Sequence, residues 1–228
     1  MSKSGNLTVV IQAGGESRRM GRSKATVPFL GEPLLMRGVN RLLPIADEFI
    51  VTTNEPENLR FLDDLVDLGK IRLVEDSFEQ RGALRGIYTA VHAASMDYVA
   101  LVACDMVFPS RNLIAAELEA LMNSGKDAAV PKTGYGYEPF HGVYRRSTCL
   151  PAIREAVEAG EVKADSFFGE VEVVEFDGGM VSEAEPRGGC FVNVNTPEEL
   201  AEVERKIMAG AIRERESFSG EPKPSSHG

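Results

Sequence analysis

Six consecutive residues near the middle of the chain, Tyr98-Val-Ala-Leu-Val-Ala103, are almost wholly apolar. The run is far too short to span a membrane. It reads instead as a strand covered on both faces, the situation of a strand inside a parallel sheet. The preceding chain fits that reading. Leu7-Thr-Val-Val-Ile-Gln12, Glu48-Phe-Ile-Val-Thr52 and Ile71-Arg-Leu-Val74 are short, apolar and partly β-branched, and Ala128-Ala-Val-Pro131 is a further strand. Between them apolar residues recur at helical spacing from Leu34 to Leu43 (with Pro33 at the first helical position), Glu57 to Leu68, Ala83 to Ala94 after Gly82, and Leu113 to Met122. This β-α-β-α order predicts an α/β fold, three-layered, with a mostly parallel, doubly wound sheet and helices on both faces. Ligands of such sheets sit beyond the carboxyl ends of the strands. That rule directs attention to residues 12–24, 52–54, 74–76 and 104–105.

The second half is less regular. Phe140 to Tyr144 and Val171 to Phe176 read as strands, and Ser147 to Ala159 as a helix stopped by Gly160. Thr196-Pro-Glu-Glu reads as a capped start of a helix running to about Met208. Residues 1–208 are expected to form one domain. Its nucleotide-binding half spans about 7–130 and its acceptor-binding half about 131–208, with 209–228 as a mobile tail. At 228 residues, 43% hydrophobic and 26% charged, the chain can bury a core without a metal or disulfide staple. Cys104, Cys149 and Cys190 have neither zinc spacing nor an even count. The segment before Leu7 lacks a signal-peptide pattern, so a cytoplasmic protein is expected. A net charge of −10 disfavours generic nucleic-acid binding, and no membrane partner is expected.

One segment runs against that acidic balance. Gln12-Ala-Gly-Gly-Glu-Ser-Arg-Arg-Met-Gly-Arg-Ser-Lys24 leaves the first strand with three glycines and four cations. Glycines let backbone N–H groups approach a phosphate, arginines fork onto its oxygens, and lysine supplies a compact charge. The spacing is neither G-x-G-x-x-G nor a Walker loop, because Lys24 lies three residues past Gly21. A solvated basic loop is the plain alternative, and the position directly after a strand favours a phosphate site.

The segment resembles the G-G-x-S-x-R-M-G-x-x-K signature of the molybdenum cofactor guanylyltransferases and their nucleotidyltransferase relatives. Val74-Glu-Asp76 with Gly82-Ala-Leu-Arg-Gly86, Ala103-Cys-Asp-Met106, and Phe191-Val-Asn-Val-Asn-Thr-Pro-Glu-Glu-Leu200 resemble that family's later motifs, in order. The resemblance covers residues 7–205 and implies a Rossmann-like nucleotidyltransferase sheet. Gln12, Ala83 and Val107 depart from the Leu, Pro and Pro usual in the family.

The family reaction joins GMP from GTP to the terminal phosphate of molybdopterin and releases pyrophosphate. A phosphate monoester with a second pKa near ~6 is already mostly dianionic at neutral pH and needs no general base. What the reaction needs is in-line positioning and charge neutralisation. The resemblance gives catalytic roles to Lys24, Arg19 and Asp105, and binds the nucleotide through Gln12, Ala13, Gly14, Gly15, Lys24, Asn54, Asp76 and Asp105. Asp105 would hold Mg²⁺, which needs few protein carboxylates; its plain alternative is a turn or cap before Pro109. Arg18 and Arg22 would be surface or secondary phosphate contacts. Gly82, Arg85, Asn193 and Asn195 would meet the acceptor. For Asn193 and Asn195, which alternation puts on one face, capping is the plain alternative. Tyr135, Tyr137 and Phe140, with Gly134 and Gly136, form either a pterin-stacking loop or a β-hairpin turn. His92 and His141 read as structural. The implied partners are GTP, molybdopterin, and proteins of molybdenum insertion and molybdoenzyme maturation. A molybdopterin cytidylyltransferase, or another Mg²⁺-dependent nucleotidyltransferase acting on a phosphorylated small molecule, is the neighbouring alternative. A nucleotide-binding regulator without activity is the alternative from another class.

Overall fold

The structure, a computed structural model, describes residues 6–14, 23–76, 78 and 82–210. In chain order it contains β1 (Leu7–Gln12), β2 (Pro28–Phe29), β3 (Glu32–Pro33), α1 (Leu34–Leu42), β4 (Glu48–Thr53), α2 (Asp63–Asp67), β5 (Arg72–Glu75) and α3 (Ala83–Ala93). It continues through β6 (Tyr98–Ala103), α4 (Arg111–Ser124), β7 (Ala128–Thr133), β8 (Gly136–Tyr137), β9 (His141–Arg145), α5 (Arg146–Glu158), β10 (Val173–Phe176), α6 (Gly178–Ala184) and α7 (Pro197–Met208).

The main sheet has the order β10-β7-β9-β6-β1-β4-β5, with β8 added to β7. β1 pairs in parallel with β4 and β6, β4 with β5, and β10 with β7. β9 runs antiparallel between β6 and β7. The α/β sheet with helices on both faces is therefore realised, mostly parallel and mixed at β9. The carboxyl ends of β5, β4, β1, β6, β7 and β10 share one edge, where β9 begins.

Side chains alternate through the sheet, as the pleat requires. Val9, Ile11, Val51 and Val102 face a core completed by Leu35, Val39 and Leu118 of α1 and α4. Val10, Ile50 and Leu101 face the opposite core with Leu84 and Ile87 of α3 and Ile153 of α5. Both faces of β6 are thus covered, as its composition demands. A third, smaller cluster gathers Val27, Phe29, Leu34, Val107, Phe108, Val194, Leu200 and Val203 at the carboxyl edge.

Several boundaries differ from expectation. Residues 57–68 do not form one α-helix: a 3-10 helix spans Pro56–Leu62 and α2 only Asp63–Asp67. Leu59 and Leu62, three apart, are the residues it buries, a spacing that suits three residues per turn. Pro33 is the N-cap of α1 and belongs to β3, rather than standing at the first helical position. The β2–β3 hairpin was not expected, because its turn is Leu30-Gly31 with φ of 50° and 88°, and leucine is a poor signal for positive φ. Glu204 of α7 holds that turn by accepting from Leu30 N at 2.6 Å. α6 was also not expected; Asp177 caps it by accepting from Met180 N. The Gly/aromatic stretch forms a β-hairpin, with Thr133 paired to Gly136 and Tyr135 fully exposed at the tip. The expected tail lies outside the described residues from 211 onward.

A buried polar chain links three elements near the same edge. His141 and Glu117 are wholly buried, with Nδ1 and Oε1 3.4 Å apart. His141 Nε2 accepts from Ser110 N at 3.2 Å. The Ser110 hydroxyl caps α4 and donates to Glu185 at 2.7 Å. Burial pushes the Glu117 carboxyl from an ordinary 4.5 up to about 7, with His141 pulling the other way. The folded state therefore holds this proton more tightly than the unfolded chain. Its stabilising contribution is full below pH 4.5 and is lost as pH rises to about 7. Glu117→Gln should raise the melting temperature at pH 8 by roughly 3–8 °C and flatten its fall between pH 5 and 8. Thermal denaturation of both proteins across that range checks this; an unchanged slope would show that Glu117 does not titrate there.

Candidate active site

The mouth of the sheet is pinned by two backbone bonds. Cys104 N donates to Gln12 O at 3.0 Å and Ala13 N to Thr52 O at 2.8 Å. They hold the start of the glycine-rich loop between β4 and β6. Asn54 flanks Gly14, where a Cβ would lie 3.6 Å from Asn54 Nδ2. On the α3 side, a Cβ at Gly86 would stand 1.6 Å from Gln12 Nε2, so the Gln12 side chain fills the space a larger residue would take. Thr52, the register partner of Gln12, is buried with an unpartnered hydroxyl. Asp76 leans onto α3 by accepting from the Thr89 hydroxyl at 2.6 Å.

On the other flank three distant segments converge. Lys24 opens a 3-10 turn anchored by the buried Ala25. Its Nζ lies 2.8 Å from Asp105 Oδ2 and 2.7 Å from Asn195 Oδ1. Asp105 follows β6 directly, and its carbonyl accepts from Val194 N at 3.1 Å. An isolated antiparallel bridge joins Met106 to Asn193. Val194 is fully buried, which leaves Asn193 and Asn195 both exposed on the opposite side. Asp105 stands in the turn after β6, closed by Met106 N donating to Ala103 O at 3.2 Å, but neither it nor the two asparagines caps a helix. Ser110 caps α4 and Thr196 caps α7, while the Glu199 carboxylate accepts from Asn195 N at 2.6 Å and steadies it.

The Cys104 thiol beside this cluster is pushed up to about 12, chiefly by burial and also by Asp105, against Lys24. Burial thus favours the thiol over the thiolate that a nucleophile requires. All three cysteines are free. Among the described residues the two histidines have other partners: His92 stacks on Tyr88, and His141 belongs to the buried chain described above.

The structure thus brings Lys24, Asp105 and Asn195 into contact, sets Gln12, Ala13, Gly14 and Asn54 along the neighbouring strand ends, and ties Asp76 to α3. Gly82 caps α3, and the Arg85 guanidinium stands 5.8 Å from the Phe78 ring. Gly15, Arg18, Arg19 and Arg22 lie outside the described residues. Thr52 falls in the strand-end window 52–54 but has no sequence feature that gives it a role, and Thr89 lies outside every such window. Thr89 has one usable signal, its place one turn after Gly86 on the sheet-facing side of α3.

Among the described residues no three His, Cys, Asp or Glu side chains cluster as an all-protein metal cage. The donors present are hard oxygens, the Asp105 carboxylate and the Asn195 amide. They suit Mg²⁺, which is commonly bound by one or two carboxylates together with phosphate oxygens and water. A carboxylate has lone pairs to spare beyond the bond from Lys24.

Comparison with known proteins agrees with this geometry. The family model for the MobA-like NTP transferase domain matches residues 9–174. The "Probable molybdenum cofactor guanylyltransferase" of Pelotomaculum thermopropionicum is 35% identical over 89% of this chain and 93% of its own. The protein of the same name from Natronomonas pharaonis is 33% identical over 89% of this chain and 99% of its own. The solved structure of molybdopterin-guanine dinucleotide biosynthesis protein A from Archaeoglobus fulgidus has the same fold. It superposes with a TM-score of 0.74 at 21% identity, covering 89% of this chain and 99% of that one. With nearly three quarters of its length matched by that model, this chain belongs to the MobA-like NTP transferase family, alongside the molybdenum cofactor guanylyltransferases, and is a nucleotidyltransferase.

Proposed function

We propose that the chain transfers GMP from GTP to the terminal phosphate of molybdopterin, giving the guanine dinucleotide form of the cofactor and pyrophosphate. The observation that carries this reading is the Lys24 ammonium held between Asp105 and Asn195. It joins the glycine-rich loop, the end of the central strand and the C-terminal motif at one point. The names of the relatives support the guanine nucleotide and the molybdenum cofactor acceptor.

In this reading Gln12, Ala13, Gly14, Asn54 and Asp76 hold the nucleoside, with Gly15 joining them on the loop. Lys24 stabilises the α-phosphate as it becomes five-coordinate, and Arg19 the departing β- and γ-phosphates. Gly82, Arg85, Asn193 and Asn195 meet the acceptor, whose dianionic phosphate attacks without a general base. Asp105, with Asn195 beside it, is the residue to hold Mg²⁺. The ion would neutralise charge on the triphosphate. The half of the chain at about 131–208 supplies most of the acceptor-binding surface, with Gly82 and Arg85 added from α3 and its start. The reaction runs in the cytoplasm, in keeping with the free cysteines and with the absence of a membrane-crossing helix among the described residues. The product passes on to proteins of molybdenum insertion and molybdoenzyme maturation.

GTP with Mg²⁺ should stabilise the protein more than CTP does, by ~1 kcal/mol or more at saturation. A thermal-shift panel with all four nucleotides measures this. Equal shifts would remove the guanine preference and favour a cytidylyl or other nucleotidyl transfer.

Lys24→Ala should lower pyrophosphate release by roughly 10²-fold or more, the cost of one preorganised charge contact. Lys24→Arg should recover little, because a forked guanidinium does not replace a compact ammonium. A near-normal rate in the alanine variant would make Lys24 a solvated loop residue.

Asp105→Asn should fold normally, since the side chain is 21% exposed, and should retain part of its nucleotide affinity. Its transfer rate should fall by roughly 10²-fold and recover in part at high Mg²⁺. A lowered melting temperature with a normal rate at low Mg²⁺ would exclude Asp105 as the principal metal ligand.

A further inference from the structure

Arg37 and Arg41 stand one turn apart on α1, and both reach the segment that follows β6. Arg37 Nε donates to the Val107 carbonyl at 2.8 Å and Arg41 Nε to the Pro109 carbonyl at 3.1 Å. The same segment is bonded on its other side by backbone: Val107 N donates to Val192 O, and Asp105 O accepts from Val194 N, each at 3.1 Å. Residues 105–109 are therefore held as a strand would be, with chain on one edge and two guanidinium groups on the other. α1 can approach closely because Gly38 meets β1, where a Cβ would lie 2.9 Å from Ile11 Cδ1.

The Arg37 guanidinium also lies between two rings, 5.2 Å from the Phe29 centroid and 5.1 Å from that of Phe108. Phe29 belongs to β2, five residues after Lys24, and Phe108 lies three residues after Asp105. One side chain thus touches both the segment that carries Lys24 and the segment that carries Asp105. Arg37 is half-buried. Its planar fork suits both contacts, because a guanidinium can lie against rings while Nε bonds a carbonyl, which a lysine ammonium cannot do at once.

We propose that Arg37 is a positioning residue for the transfer reaction, setting the separation of Lys24 and Asp105, with Arg41 holding the end of the same segment at Pro109. The proposal rests on the reading of Lys24 and Asp105 given above. Reacting groups tolerate little displacement, a shift of ~1 Å costing on the order of 10²-fold in rate.

The test is a double-mutant cycle on the full chain. Arg37→Met and Arg37→Lys are made alone and in the Lys24→Ala background. Melting temperature, KM for GTP and kcat are read from pyrophosphate release with Mg²⁺, GTP and molybdopterin. Arg37→Met alone should remain folded and lose roughly 10-fold or more in kcat, with KM for GTP changed by less than about 3-fold. Arg37→Lys should recover little of that loss. In the Lys24→Ala background the Arg37→Met step should cost less than about 3-fold, because the group it positions has gone. The same factor in both backgrounds, or a lowered melting temperature with a normal kcat, would overturn the positioning role and leave the site reading intact. Near-normal transfer by Lys24→Ala itself would overturn both, so the two failures are told apart. Should Arg37→Met not fold, Arg37→Lys and Arg41→Met carry the same cycle.

Discussion

The ammonium of Lys24 meets a carboxylate 81 residues away and an amide 171 residues away. Attraction between such groups is too weak at a partly solvated edge to assemble them from a flexible chain. Burial beside each one does the assembling. Ala25 follows Lys24, Met106 and Val107 follow Asp105, and Val194 precedes Asn195; all four are buried. Val107 and Val194 belong to the small apolar cluster at the carboxyl edge, together with Val27, Phe29 and Leu200. Burying a side chain of this kind contributes about 1.5–3 kcal/mol. The cluster therefore supplies the free energy that holds three polar side chains within hydrogen-bonding reach. The directional bonds then choose the geometry within that assembly.

The sheet supplies the platform. Because six strands end on one edge, Gln12, Thr53, Glu75 and Ala103 all stop near the same level, and the residues just after them share one mouth. β9 is inserted in the opposite sense between β6 and β7, so its first residue, His141, stands at that mouth instead of at the far edge. There it meets Glu117 and Ser110, and the Ser110 hydroxyl in turn ties the start of α4 to Glu185. The apolar layers on the two faces keep the platform rigid, and the polar chain ties β9 to α4 at its carboxyl edge.

Much of this was legible in the chain because it is local. β6 is apolar on both sides of its pleat, so it had to lie inside a sheet covered on both faces. Thr196, Pro197 and Glu199 cap a helix wherever they occur together, and they do so here. The glycine and cation pattern after β1 marked Lys24, and the carboxylate after β6 marked Asp105. The α-helix expected over 57–68 gives way to a 3-10 helix and a short α2 because leucines at intervals of three suit a 3-10 turn and an α-helix almost equally. The β2–β3 hairpin was missed because its turn places Leu30 at positive φ, a conformation sustained by the distant Glu204.

By itself the sequence determined the alternation of strands and helices, the edge of the sheet to which its glycine-rich and acidic motifs belong, and which residue types stand at the strand ends. Each follows from the period of apolar residues or from the backbone needs of glycine, proline and capping side chains, which act over a few positions. Only the tertiary structure decided that Lys24 bonds both Asp105 and Asn195, that Asp76 is held by Thr89, that β9 reverses direction, and that Arg37 lies between Phe29 and Phe108. These depend on contacts between residues far apart in the chain. Side-chain periodicity records which face a residue presents, but not which distant partner that face will meet.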